Sequence, residues 1–244
     1  MKTLFIGFES AWQYWHIYHY AGIIRARSSA TPSLVNATTA LRDINRVDFT
    51  GTGVNGKPLH LIAKRGARNS HPQDVVVHSY SELPPNSFRT LTDEIAVSSP
   101  ELSFVQIASS HSLLETILFG MEICGSYAPD PIKRKGIPIP EFPPQPQFTA
   151  TERQSREPLT TKDRLETFCA SADGMHGVKR ARQALRWVRD GSESQMETVQ
   201  YLALYLKPSL GGLISNQSVL TSLFSSGMTT ETHWARRTIA SISY

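Results

Sequence analysis

Cysteine is nearly absent from this chain, with two residues in 244, Cys124 and Cys169. Two thiols cannot staple a secreted disulfide scaffold, and their spacing excludes a C-x-x-C metal or redox pair, so both are expected to be reduced and half-buried. Long apolar runs are also lacking. The run at residues 4–8 is cut by Glu9 and followed by Gln13 and His16. It falls short of the roughly 7–15 residues of a signal-peptide core, and no stretch reaches the roughly 18–20 residues of a membrane span. The expectation is a cytoplasmic chain with no membrane partner. Nucleotide signatures are missing as well: there is no Walker A run and no G-x-G-x-x-G between a strand and a helix, so no cofactor is expected. The glycines at 51, 53 and 56 precede Pro58 and the strand-like LHLIAK. That order suits a hairpin or loop better than a phosphate cradle, which needs a helix to follow.

What remains is an ordinary globular composition, 40% hydrophobic and 19% charged, with 15 Gly and 15 Pro. Disordered and collagenous chains are excluded by those values, and 244 residues can bury one large core or two modest ones. The net charge of +4 is unevenly spread. Residues 1–70 hold nine Lys/Arg against three acids, and residues 71–150 hold four against nine. Residues 151–190 hold nine against six, and the remainder is balanced at three each. Alternating blocks of this kind either neutralise one another across a fold or mark a nucleic-acid face and a protein-facing surface.

Periodicity divides the chain further. Residues 4–8 read as a short strand, and Ser10 is placed to cap the aromatic run AWQYWHIYHY, whose Trp12, Trp15, His16 and His19 share one helical face. Aromatics at that spacing point to core more than to base stacking, and no cysteine or carboxylate pattern makes His16 and His19 a metal pair. Residues 38–47 suggest a second helix with Ala40, Leu41, Ile44 and Val47 inward and Arg42, Asp43 and Arg46 outward. Short runs at 59–63, 74–78, 88–91 and 95–97, with prolines between, predict a small, mainly antiparallel sheet. Ser99 and Pro100 then mark a helix start, and Ser112 with Glu115 forms a capping box for the next helix, which stops at Gly125. Glu101, Glu115 and Glu122 resemble a carboxylate set, but two of the three belong to helix starts.

Seven prolines in residues 129–150 rule out regular structure there, since proline removes a donor and disfavours helix in its neighbour. A domain boundary is expected at this point: an N-terminal α/β lobe at 1–128, a linker at 129–158 in which Lys133, Arg134 and Lys135 are solvated, and a mostly helical portion at 159–244. In that portion Thr160 or Thr161 caps one helix. The next, GVKRARQALRWVRDG, puts Lys179, Arg182, Arg186 and Arg189 in a stripe roughly 80° wide beside an apolar face. A cationic row suits a phosphate backbone, and these four residues are the candidate nucleic-acid contacts. Ser194 and Glu197 form another capping box, and the helix after it runs to Pro208.

The run SELPPNSFRTL, the piece VSSPE, the segment from Glu122 to Tyr127 and the run DGSESQMETVQYLALYL together resemble an actinobacterial family. Its members, of mostly unassigned role, are related to AbiEi-type antitoxins of type IV toxin–antitoxin systems. The resemblance covers residues 58–212 and implies a C-terminal domain similar to the very-short-patch-repair class of PD-(D/E)XK endonucleases. It places Glu197 at the family's first acidic position, as the one weak catalytic candidate. The further acidic strands of that family have no counterpart here, because residues 198–244 contain no Asp and a single Glu, Glu231. A hard divalent cation needs several carboxylate oxygens, so the chain reads as a shortened relative without a metal centre.

Three expectations follow. The leading one is an α/β (α+β) chain acting as a non-catalytic, nucleic-acid-associated factor, antitoxin-like or regulatory, with DNA and a cognate protein as partners. The second is a metal-dependent endonuclease completed by carboxylates of a second chain. The third is a protein-interaction module using the acidic middle block.

Overall fold

A computed structural model describes residues 2–19, 23–27, 34–52, 54, 58–66, 73–127 and 156–210. The proline-rich stretch at 129–150, Gly53 and Gly56 of the glycine-rich loop, Glu231 and the C-terminal residues from 211 lie outside them. Strand β1 (Leu4–Ile6) leads into helix α1 (Phe8–Ile17), and a 3-10 turn (Leu34–Asn36) and the short helix α2 (Leu41–Arg46) follow. Strands β2 (Leu59–Lys64), β3 (Val75–Tyr80), β4 (Phe88–Thr90) and β5 (Ile95–Ser98) complete the sheet. Helices α3 (Pro100–Ser110), α4 (Leu113–Cys124), α5 (Lys162–Ser171), α6 (Val178–Ala184) and α7 (Gln195–Tyr205) come after it.

The chain is α/β, but its sheet is mixed, which corrects the antiparallel expectation. The strand order is β3-β2-β1-β5-β4. β1 runs parallel to β5, with Phe5 opposite Ala96, and β2 runs parallel to β3, with Leu61 opposite Val77; the β1–β2 and β4–β5 pairs are antiparallel. Short, proline-punctuated runs do not encode strand direction. Here the parallel β2–β3 pair is the longest ladder, and the ten residues between those strands replace the tight turn of a hairpin.

Helix α3 organises the helical layer. Nine of its eleven residues are buried, and it packs against α1, β5, α4, α5 and α6. Its buried polar residues are paired: Glu101 accepts the Thr160 hydroxyl and Gln106 the Phe8 amide. Its start follows the sequence: the Ser99 hydroxyl accepts from the Leu102 amide, and Pro100 fills the first turn, where its missing N–H costs nothing. Helix α4 carries the full capping box of Ser112 and Glu115 and ends at Gly125. Gly120 opens a notch on α4, since a Cβ there would lie 2.9 Å from Phe104 and nearer still to Val188. Gly177 sits at φ 93 against the end of α3, where a Cβ would lie 2.8 Å from the Ser109 amide nitrogen. Only glycine accepts both that backbone conformation and that approach.

The compact unit that contains the sheet spans Met1–Thr198, so α5 and α6 pack on α3 within the same unit as the strands. Residues Val199–Tyr244 form a second unit, and within it the rings of Tyr201 and Tyr205 lie 4.9 Å apart.

Four local expectations are corrected. Helix α1 begins at Phe8 after Gly7; Ser10 is buried in its first turn, and its hydroxyl accepts the His60 amide, tying α1 to β2 instead of capping a helix. Helix α2 keeps Ile44, and Val47 after it, on the core and Arg42 and Arg46 outside, but exchanges two positions: Asp43 is buried, held by the Thr38 hydroxyl at 2.6 Å and by Lys2, while Leu41 is exposed. A paired carboxylate can be buried when its hydrogen bonds are met, and here they are. Of the two threonine cap candidates, Thr161 caps α5, and Thr160 donates to buried Glu101. Both cysteines are free but fully buried instead of half-buried, and burial raises both thiol pKa values, Cys169 to about 11.

Candidate functional site

The cationic candidates lie on α6 and the chain that leaves it. Lys179, Arg182, Arg186 and Arg189 are all exposed, while Val178, Ala181, Ala184, Leu185 and Val188 are buried between them. The stripe geometry, however, ends early. Helix α6 stops at Ala184, so Arg186 stands on the turn that follows and Arg189 beyond it, and the regular helix carries only Lys179 and Arg182 of the four. The cause is tertiary. Val188 fills the notch at Gly120, the Arg189 amide approaches Met121 Sδ at 3.1 Å, and the Gly191 amide donates to the Cys124 carbonyl.

The four cations are not equivalent. Arg182 donates to the Cys169 carbonyl at 2.7 Å and to Asp173 at 3.1 Å, so its guanidinium links α6 back to α5. Arg180, outside the predicted row, closes the end of α3 by donating to the carbonyls of Ala108 and His111. A cation on the last carbonyls of a helix meets the negative end of its dipole.

Glu197 belongs to the start of α7. Its amide donates to Ser194 Oγ at 3.1 Å, and its carboxylate accepts at 2.7 Å from the Glu193 amide instead of that of Ser194, so the expected capping box is shifted by one residue while Glu197 remains a helix-start residue. The other carboxylates of the sequence set are also engaged. Glu115 closes its capping box, Glu101 takes the Thr160 hydroxyl with Arg89 at 3.8 Å, and Glu122 lies 2.8 Å from His16 Nδ1. Glu122 also accepts Arg156 at its backbone carbonyl. Trp15 is buried with its indole N–H on the Ser98 carbonyl, so the aromatic face of α1 is core at Trp15 and His16. His19, at the far end of that helix, is held down near pH 4 by burial and by the charges of Arg156 and Arg25. Among the described residues, no three His, Cys, Asp or Glu side chains could hold a metal ion.

Sequence reasoning missed a second polar cluster, at the corner where β1 meets α1. Glu9 on α1, His60 on β2, His78 on β3 and Ser110 and His111 at the end of α3 converge there. Glu9 Oε2 lies 2.8 Å from His60 Nδ1, Glu9 Oε1 accepts from Ser110 Oγ at 3.1 Å, and His111 Nδ1 stands 3.8 Å from the same oxygen. Burial would raise the Glu9 pKa, but the close approach of His60, a backbone hydrogen bond and the charge of His60 outweigh it and hold the carboxyl at about 2. His78 is kept near 4, first by burial and then by His60, against the pull of Glu9. The only trace of this cluster in the sequence is one histidine inside each of two apolar strands.

No helix among the described residues is long and apolar enough to cross a membrane. Comparison with protein-family models, curated proteins and solved structures finds no match to this chain.

Proposed function

We propose that the chain is a non-catalytic nucleic-acid-associated factor of the cytoplasm, antitoxin-like or regulatory, that contacts the phosphate backbone through α6 and the segment after it. One observation carries this reading: Lys179, Arg182, Arg186 and Arg189 are all exposed along eleven residues whose aliphatic members are buried. A short anchored segment presenting cations to solvent suits sequence-independent phosphate contact, which needs charge at the surface more than a shaped pocket. The resemblance to AbiEi-type antitoxins supports the same reading, and the engagement of Glu197 at a helix start weighs against a nuclease centre built on it.

The test is duplex DNA binding by the full chain at 50 and 200 mM salt. Affinity should fall steeply with salt, and Lys179→Glu with Arg186→Glu should weaken binding at least tenfold while leaving the melting temperature in place. Equal binding by wild type and double variant would remove the reading. Plasmid cleavage with Mg²⁺ or Mn²⁺ that is lost in Glu197→Ala would replace it with the endonuclease.

A further inference from the structure

The polar corner rests on a single short contact between two rings. His60 Nδ1 and His78 Nε2 are 3.0 Å apart, and the two imidazoles stack at 5.2 Å with 19° between their planes. An imidazole nitrogen has one in-plane site, which carries either a proton or a lone pair, so a nitrogen–nitrogen contact of this length holds one proton. Glu9 decides which ring keeps it. Its carboxylate oxygen Oε2 is 2.8 Å from His60 Nδ1 and takes no hydrogen bond of its own from the described residues, so its charge favours an N–H at that nitrogen over a lone pair while the N–H itself points to His78. The proton therefore sits on His60 Nδ1, and His78 accepts it with a bare Nε2. A second proton, on His78 Nε2, would face the His60 N–H across the same 3.0 Å.

One face of His78 lies on Phe8, with ring centroids 3.5 Å apart and planes 13° from parallel, while His60 lies beside the ring, 6.3 Å from Phe8. Phe8 has φ 51, the left-handed region that a bulky residue occupies only under constraint. Its amide donates to Gln106 Oε1 at 2.9 Å, on α3. The titratable groups facing His78 are Glu9 from α1 and His60 from β2, and behind Glu9 stands His111 from the end of α3. The stack on His78 and the bond to Gln106 thus hold a strained turn between the central strand and α1.

We propose that Glu9, His60 and His78 form a proton-operated latch on the β1–α1 corner. With one proton between the rings the corner is closed and Phe8 is held left-handed. A second proton drives the rings apart, removes the stack from Phe8 and lets the turn relax to an ordinary backbone conformation, loosening α1 where it enters the fold. Burial of His78 holds its pKa near 4, so that event lies well below the ordinary imidazole range.

The test follows the full chain from pH 7.5 to 3.5 by imidazole ¹⁵N spectra and by hydrogen-exchange protection of the Phe8 amide, which reads the bond to Gln106 directly. At pH 7.5 His60 should be protonated at Nδ1 and His78 bare at Nε2. On acidification Phe8 protection should drop at least tenfold in step with the second proton, while the Leu102 amide in the first turn of α3 keeps its protection. His78→Gln retains an acceptor but takes up no proton, and its Phe8 protection should stay within twofold over the whole range. The proposal is overturned by a proton on His78 Nε2 at pH 7.5, by constant Phe8 protection in wild type, or by the same loss in His78→Gln. If His78→Gln fails to fold, the wild-type spectra and exchange decide by themselves.

Discussion

Two regions that share α3 are stabilised in opposite ways. On the side away from the sheet corner, α3 meets α4, α5 and α6 along its length, and the helix starts of that layer obey local rules: Ser99 and Ser112 cap, and Gly177 takes the backbone that only glycine tolerates. At its C-terminal end, against the β1–α1 corner, a phenylalanine takes a left-handed turn and a carboxylate, two strand histidines and a serine fill the space. Where local preference and tertiary packing agree, stability does not depend on solution conditions. Where they conflict, the conflict is held by polar contacts whose strength depends on protons.

The comparison can be broken from either side. The largest effect is expected on the apolar side. Gly177→Ala would force an L-residue into φ 93 and press its methyl on the end of α3, lowering stability by about 3 kcal/mol in urea unfolding, equally at pH 7.5 and 5. Acidification attacks the polar side. His78 and His19 are held near 4 against an ordinary 6.5, so protons bind the unfolded chain first. Their contribution is complete above pH 6.5 and is lost as pH falls toward 4, and Glu9, at about 2 against 4.5, adds a further loss between those two values. Urea midpoints should record about 2 kcal/mol less stability at pH 5.8 than at pH 7.5, with a visibly flatter profile in His78→Gln. The smallest effect sharpens the contrast: Ser112→Ala removes one cap from α4 and should cost about 1 kcal/mol at neutral pH, read as a lower melting temperature.

Legibility followed the same division. Ser99, Pro100, Ser112 with Glu115, and Ser194 with Glu197 were readable because a cap and its target lie within four residues, and the hydrogen bonds follow from that spacing. The cationic residues were readable as exposed, but their common stripe was not, since the sequence keeps a helical period past Ala184 and only the notch at Gly120 turns the chain. The inward turn of Asp43 was hidden because its partner Lys2 comes from the other end of the lobe. Glu9, His60, His78 and Ser110 were hidden for a related reason: strand pairing joins them across tens of residues, and no short-range pattern records which strands will be neighbours.

The order of residues alone determined the class of fold, the helix starts, the missing membrane-length helix and the exposure of four cations, because each depends on chemistry within a turn or two of chain. Tertiary structure decided the mixed strand order, the end of α6, the burial of Asp43 and the meeting of a carboxylate with two imidazoles at one corner. Those outcomes depend on which distant segments share a surface, and such contacts are chosen by the packing of the whole chain.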